Sequence, residues 1–270
     1  MLDAHSDISI AFDEMNLFEP FRSNTFDKFF ENSPISSKEL VELINKKQIY
    51  GTFWKEFEQS GIPIKDLEER LKEYPSLSSA KVLSIILDLL NSKRGTNFSG
   101  IKYPVHFKRL DYIFDHWPEA KVIFLTRNPK AIIASKLNDE ATQKRKGKSP
   151  LHRFLIHYFT ILYFAIEYIL SIRTYYKYKS QLKLITYERL VLNQRETIND
   201  LCRWCNIRFE DVMLEVTGKS SSHTNINSSG LHAKSLTKYK TALNSFDSAL
   251  ISILTNRYYT KIKDELGSNF

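Results

Sequence analysis

Apolar positions along the chain switch repeatedly between two spacings. Short apolar segments at residues 8–12, 98–102, 122–125 and 182–186 read as strands, and the unbroken run at 122–125 suits a strand buried on both faces of a parallel sheet. Between them, residues 37–46, 64–74, 79–93, 105–116, 129–142, 151–176, 196–205 and 246–266 carry helical spacing. Val82, Leu83, Ile86, Leu87 and Leu90 share one face of the helix at 79–93. Gly51, Gly61 and Pro63 punctuate the region between the first two helices, and Asn206 supplies a left-handed cap after residue 205. Residues 220–230 form a polar loop. This alternation predicts an α/β fold of three layers, with helices on both faces of a mostly parallel sheet. No repeat or linker divides residues 1–270, so a single domain is expected.

Composition narrows the ligand class. Lys and Arg number 39 against 31 Asp and Glu, a net charge of +8. That excess suits an anionic ligand, and equally a weak contact with nucleic acid or a membrane surface. Abundant Phe and Tyr exclude global disorder. Two cysteines give no disulfide framework. No unbroken apolar run of membrane-spanning length and no leader-like start is apparent, so a cytoplasmic protein without a membrane span is expected.

The chemistry concentrates at Arg127. The strand at 122–125 ends in a polar turn, and Pro129 fits the first position of the following helix. Helix-terminal amides and the macrodipole favour an anion there, and a guanidinium adds bidentate phosphate contacts. The competing reading has Arg127 neutralising a nearby carboxylate. Other motifs fall away. Gly147-Lys148-Ser149 and Gly218-Lys219-Ser220 imitate the end of an ATPase phosphate loop, but Thr142 and Met213 stand where its first glycine belongs. Cys202-Arg-Trp-Cys205 lies within a helix, which predicts core or half-buried thiols and not a redox pair. Scattered histidines predict no metal site, and no Gly-x-Ser-x-Gly elbow marks a serine nucleophile. The basic clusters around Lys144–Lys148 and Arg173–Lys183 read as a solvated loop and a helix end, so no specific nucleic-acid partner is expected.

Several segments, in order, resemble the sulfotransferase family. Lys121-Val-Ile-Phe-Leu-Thr-Arg-Asn-Pro129 with Ser135 is similar to its 3'-phosphate-binding motif. Ile185-Thr-Tyr-Glu-Arg-Leu-Val191 is similar to its strand ending in Tyr-Glu-Asp-Leu, and Gly100-Ile-Lys-Tyr-Pro104 resembles its Lys-x-Pro segment. Leu2-Asp-Ala-His-Ser-Asp-Ile8 looks like the end of the family's first helix and the start of its second strand. The resemblance implies a P-loop-NTPase-like fold and transfer of a sulfuryl group from 3'-phosphoadenylyl sulfate (PAPS) to a hydroxyl or amine, leaving adenosine 3',5'-bisphosphate, without a metal. The acceptor would be a small molecule, a carbohydrate or a peptide. Arg127 and Ser135 would hold the 3'-phosphate, and Ser221, Ser222 and Asn225 would belong to a late nucleotide-contacting loop. Asp13 or Glu14 would be the base, with Lys102 and His106 as further substrate-side candidates. The family's Gly-Thr-Thr loop and first strand have no counterpart here, which predicts a truncated edge, strands left without partners and, if the protein truly starts at Met1, poor folding or loss of activity. Two alternatives stay open: a non-catalytic nucleotide-binding or interaction module on the same fold, and a nucleotide-dependent kinase.

Overall fold

The computed structural model describes residues 1–14, 34–46, 60–102, 104–145, 147, 149–215 and 233–267. They belong to two compact units, Met1–Ala120 and Lys121–Phe270.

In the first unit, strand β1 (Ile8–Glu14) pairs in parallel with a strand at Phe98–Lys102, reached through helices. A two-residue antiparallel pair, β2 (Ile35–Ser36) with β3 (Ser76–Leu77), lies between them in sequence. Helix α1 (Ser37–Asn45) starts where Ser36 accepts the Glu39 amide at 3.2 Å. Helix α2 (Ile64–Lys72) follows Pro63, and helix α3 (Ser79–Arg94) runs from a Ser78 cap to left-handed Gly95. Their apolar faces, among them Leu40, Ile44, Leu67, Leu71, Ile86 and Leu90, close one core. The segment at Phe98–Lys102 is β4, and Gly100 opposes Ile10 in register. A Cβ on Gly100 would come within 2.9 Å of Ile10 Cδ1, so the close approach of these strands uses its missing side chain. At Ile10, side chains serve the main chain: Asp3 accepts its amide at 2.8 Å, and Arg94 donates to its carbonyl at 3.3 Å. At this residue the unpaired backbone expected of a partnerless strand is answered by an ion pair, Arg94–Asp3, at 2.7 Å.

The second unit holds a parallel pair in continuous register, β5 (Val122–Thr126) and β6 (Leu182–Thr186), from Val122↔Leu182 to Thr126↔Thr186. The helix expected over 129–142 is two, α5 (Pro129–Leu137) and α6 (Glu140–Arg145), parted at Asn138, whose side-chain amide donates to the Ala134 carbonyl at 2.8 Å. Similarly, residues 104–109 form a 3₁₀ turn ahead of a short helix, α4 (Leu110–His116). That turn begins at Pro104, which has no amide to give to a helical ladder.

The 28-residue helix at Pro150–Lys177 buries Ile161, Ala165, Tyr168, Ile172 and Tyr175. Ile161 and Ala165 join Ile133 and Leu137 of α5 and Ile251 of the last helix (Ser245–Leu266) in one core, and Tyr175 stacks on Phe124 at 5.2 Å. By length and composition this helix is apolar enough to cross a membrane, contrary to the expectation that no segment reaches that mark. Thr160, Glu167 and Ser171 interrupt the apolar run in sequence without removing its average character.

Candidate functional site

Two strand–helix junctions stand side by side at the carboxyl end of the β5–β6 pair. Thr126 and Thr186 are partners in register, and each strand gives way within two residues to a helix, α5 at Pro129 and a short one at Tyr187–Leu192. Asn128 caps the first with its side-chain oxygen on the Lys130 amide at 2.9 Å, and Thr186 caps the second on the Arg189 amide at 3.3 Å. Glu188 joins them, its Oε1 accepting the Asn128 amide at 2.8 Å.

Arg127 is half-buried at this junction. Its guanidinium lies 4.5 Å from the centre of the Tyr187 ring and donates to the Ser235 carbonyl, while Tyr187 Oη and Ser235 Oγ are 3.0 Å apart. Arg127 Nε is buried with no hydrogen-bond partner among the described residues, and so is Glu188 Oε2. Burial pushes the Tyr168 and Tyr259 phenols up, and the neighbouring Glu188 charge adds to both shifts. These groups are therefore neutral phenols at physiological pH.

The amide cradle expected at the start of α5 is already occupied. Lys130 bonds Asn128 Oδ1, Asn128 bonds Glu188, and the Ala131 and Ile132 amides both bond the Asn128 carbonyl. Capping consumes the helix-start amides expected to serve an anion, while Arg127 keeps an uncommitted Nε among the described residues. Ser135 is exposed on α5, seven residues after Asn128 and hence on the same helical face. Ser221, Ser222 and Asn225 lie outside the described residues.

The remaining candidates collect at the carboxyl end of the first unit's parallel pair. Asp13 and Glu14 close β1, and Glu14 is the register partner of Lys102 at the end of β4, past an irregularity between Ile10 and Glu14. The side chains of Asp13 and Glu14 lie outside the described residues. Lys102 is exposed, and His106 follows in the 3₁₀ turn, where burial pushes its imidazole down to about 4. No cluster of His, Cys, Asp and Glu suited to a metal occurs among the described residues. Cys202 is buried and Cys205 half-buried, and burial pushes both thiols up.

Asn128, Tyr187, Glu188 and Ser235 are the site residues that sequence reasoning did not assign. Tyr187-Glu188 carried a legible signal, since it follows a strand ending in Thr just as Arg127 does. Ser235 carried none, because 108 residues separate it from Arg127.

The model of the sulfotransferase family matches residues 1–211, a span that includes both junctions. No curated protein matches the chain. Among solved structures, it is similar to the sulfotransferase domain from the curacin biosynthetic pathway, with 17% identity and a TM-score of 0.53 over 94% of this chain and 90% of that one. It is also similar to the sulfotransferase domain from the Synechococcus PCC 7002 olefin synthase, with 12% identity and a TM-score of 0.51 over 92% and 93%. At these identities the likeness establishes the α/β, P-loop-like fold.

Proposed function

The chain belongs to the sulfotransferase family, and from that premise we propose that it moves the sulfuryl group of PAPS to a hydroxyl or amine on a small molecule, carbohydrate or peptide. The observation that carries the choice of donor is Arg127. A guanidinium held between the Tyr187 ring and the Ser235 carbonyl, with Nε buried and uncommitted, is preorganised for one more acceptor of strong negative charge. The 3'-phosphate of PAPS supplies such an acceptor, and its sulfate supplies the group transferred as the S–O bond to the nucleotide breaks and one to the acceptor forms.

In this reading Arg127 and Ser135 hold the nucleotide, and Ser221, Ser222 and Asn225 contribute further donors. Glu188 holds the Asn128 amide and so fixes the turn that presents Arg127. The acceptor proton passes to Asp13 or Glu14. His106, held neutral by burial, lends a hydrogen bond and not a charge, while Lys102 carries the positive charge near the end of β4. A second reading, a nucleotide-binding module without catalysis, draws support from the first-turn amides of α5 being spent within the protein.

Calorimetric titration with adenosine 3',5'-bisphosphate tests the assignment. Arg127→Ala is expected to weaken binding roughly 10- to 150-fold, the worth of one charge-assisted pair of about 1.5–3 kcal/mol. Transfer of labelled sulfate from PAPS to a panel of acceptors then separates the enzyme from the binding module. Equal affinity for the bisphosphate and for adenosine removes the reading.

A further inference from the structure

The helix at Pro150–Lys177, numbered α7, and the last helix at Ser245–Leu266 run side by side in the same direction. Tyr158 contacts Phe246 at 5.8 Å, Arg173 bonds Tyr258 Oη at 2.9 Å, and Tyr175 bonds Glu265 further along. Each helix turns one face to the core and leaves the other open. On α7 the open face carries Leu151, Leu155, Phe159, Leu162, Ile166 and Leu170, spaced three and four apart, and the same stripe continues into exposed Arg173 and Lys177. On the last helix, Phe246 and Ile253 are exposed, the latter at 81%, and Arg257 and Lys261 follow Ile253 on its face at four-residue steps. Both surfaces therefore grade from apolar to cationic in the same direction. At the cationic end a cleft of about 300 Å³ is lined by Arg173, Tyr176, Arg257, Tyr258 and Lys261.

We propose that these two faces dock on the surface of an anionic phospholipid bilayer, the apolar stripe entering the acyl boundary and the cleft taking a lipid phosphate headgroup. A row of exposed large apolar side chains costs free energy in water and is relieved at a membrane interface. Cations and tyrosines at one end match the depth at which phosphates and aromatic rings sit. Asp264 and Glu265 are the acids at that end, Glu265 engaged by Tyr175 and by Lys179 at 3.0 Å, against Arg173, Lys177, Arg257 and Lys261. A second copy of the chain fits worse. Antiparallel pairing would set the cations against Leu151 and Phe154, parallel pairing would set them against one another, and neither supplies a carboxylate row. Crossing the bilayer is also excluded for α7 as folded, because Ile161, Ala165, Ile172 and Tyr175 are packed in the protein core. Arg257, Tyr258 and Lys261 of the cleft lie beyond residues 1–211 matched by the family model, and the proposal is independent of the donor assignment.

Sedimentation of the full chain with vesicles tests it. The protein is expected to bind vesicles rich in phosphatidylserine, to bind phosphatidylcholine vesicles far less, and to be released by salt. Arg257→Gln with Lys261→Gln should weaken binding roughly fivefold per cation, about 30-fold together. Phe159→Ser with Ile166→Ser, both at exposed positions, should abolish it while the thermal midpoint holds. Soluble glycerophosphate, a headgroup without chains, should compete poorly. The proposal is overturned by indifference to lipid charge, by glycerophosphate binding as tightly as vesicles, or by a dimer that the Phe159 and Ile166 changes dissociate.

Discussion

The Asn128 amide donates to Glu188 Oε1 at 2.8 Å, so a carboxylate from one strand–helix junction completes the turn of the other. The two residues are 60 apart in sequence and meet because β5 and β6 pair in register up to Thr126↔Thr186. Arg127 immediately precedes the amide that is held, and Tyr187, under its guanidinium, immediately precedes the carboxylate that holds it. One hydrogen bond thus ties the stacking platform to the cation. It also spends a donor that a bare helix start would have offered to a ligand.

Removing that acceptor should be felt in stability and in binding together. Glu188→Ala leaves the Asn128 amide without a protein partner, and a buried donor left unsatisfied costs about 1–3 kcal/mol. Glu188→Gln keeps an acceptor oxygen at the same position and should recover most of the loss. Urea midpoints compared at constant slope give the difference. An alanine variant as stable as the parent would mean that water replaces the carboxylate and that the junctions are not coupled through it.

His106 should give stability a pH dependence of definite sign. Burial lowers its pKa from 6.5 to about 4, so between those values the unfolded chain takes up a proton that the folded chain refuses. The contribution is fully present above the unfolded value, falls as pH drops from 6.5 towards 4, and is flat below that. The whole loss is about 3 kcal/mol, from the size of the shift at about 1.4 kcal/mol for each pH unit. Subtracting the urea-derived stability curve of His106→Gln from that of the parent isolates it. Parallel curves over the window would show that the imidazole is solvated.

The elements of both parallel pairs were legible because short apolar runs bounded by polar turns have few alternatives. Arg127 was legible for the same reason: a strand, an arginine and a proline in sequence fix a junction whatever surrounds them. The breaks were harder to see. Asn138 ends α5 by bonding back to Ala134, whereas the apolar spacing alone runs on to Thr142, which is itself buried. What remained hidden was long-range pairing. Nothing near Glu188 in sequence says that it will accept the Asn128 amide, and the capacity of the α5 amides depended on that pairing. Nor does the sequence of α7 show which of its apolar faces is covered, since both are rich in Leu, Ile, Phe and Tyr.

A polar contact at the edge of the second core offers a separate check. Asp247 is 2% exposed and accepts from His157 Nε2 at 3.0 Å, while its amide caps the last helix on Asn244 Oδ1 at 2.8 Å. Asp247→Ala removes the imidazole's partner and should cost about 1–3 kcal/mol. Asp247→Asn, which keeps an acceptor, should cost less. Thermal melts of the two variants rank them, and equal midpoints would show that the His157 contact contributes nothing.

The two faces of α7 predict opposite responses to the same chemical change. Ile161 is 0% exposed and packs with Ile133, Leu137 and Ile251, so Ile161→Ala should open a cavity and cost about 2–5 kcal/mol. Phe159, two residues earlier, is 65% exposed, and Phe159→Ala should stay within about 0.5 kcal/mol of the parent in dilute buffer. Truncating the larger side chain thus does less harm, the reverse of what its hydrophobicity alone would suggest. Chemical denaturation of both variants at low protein concentration measures the contrast. A Phe159 penalty matching that of Ile161 would mean that another part of the chain covers the stripe in solution, and the open face of α7 would have to be withdrawn.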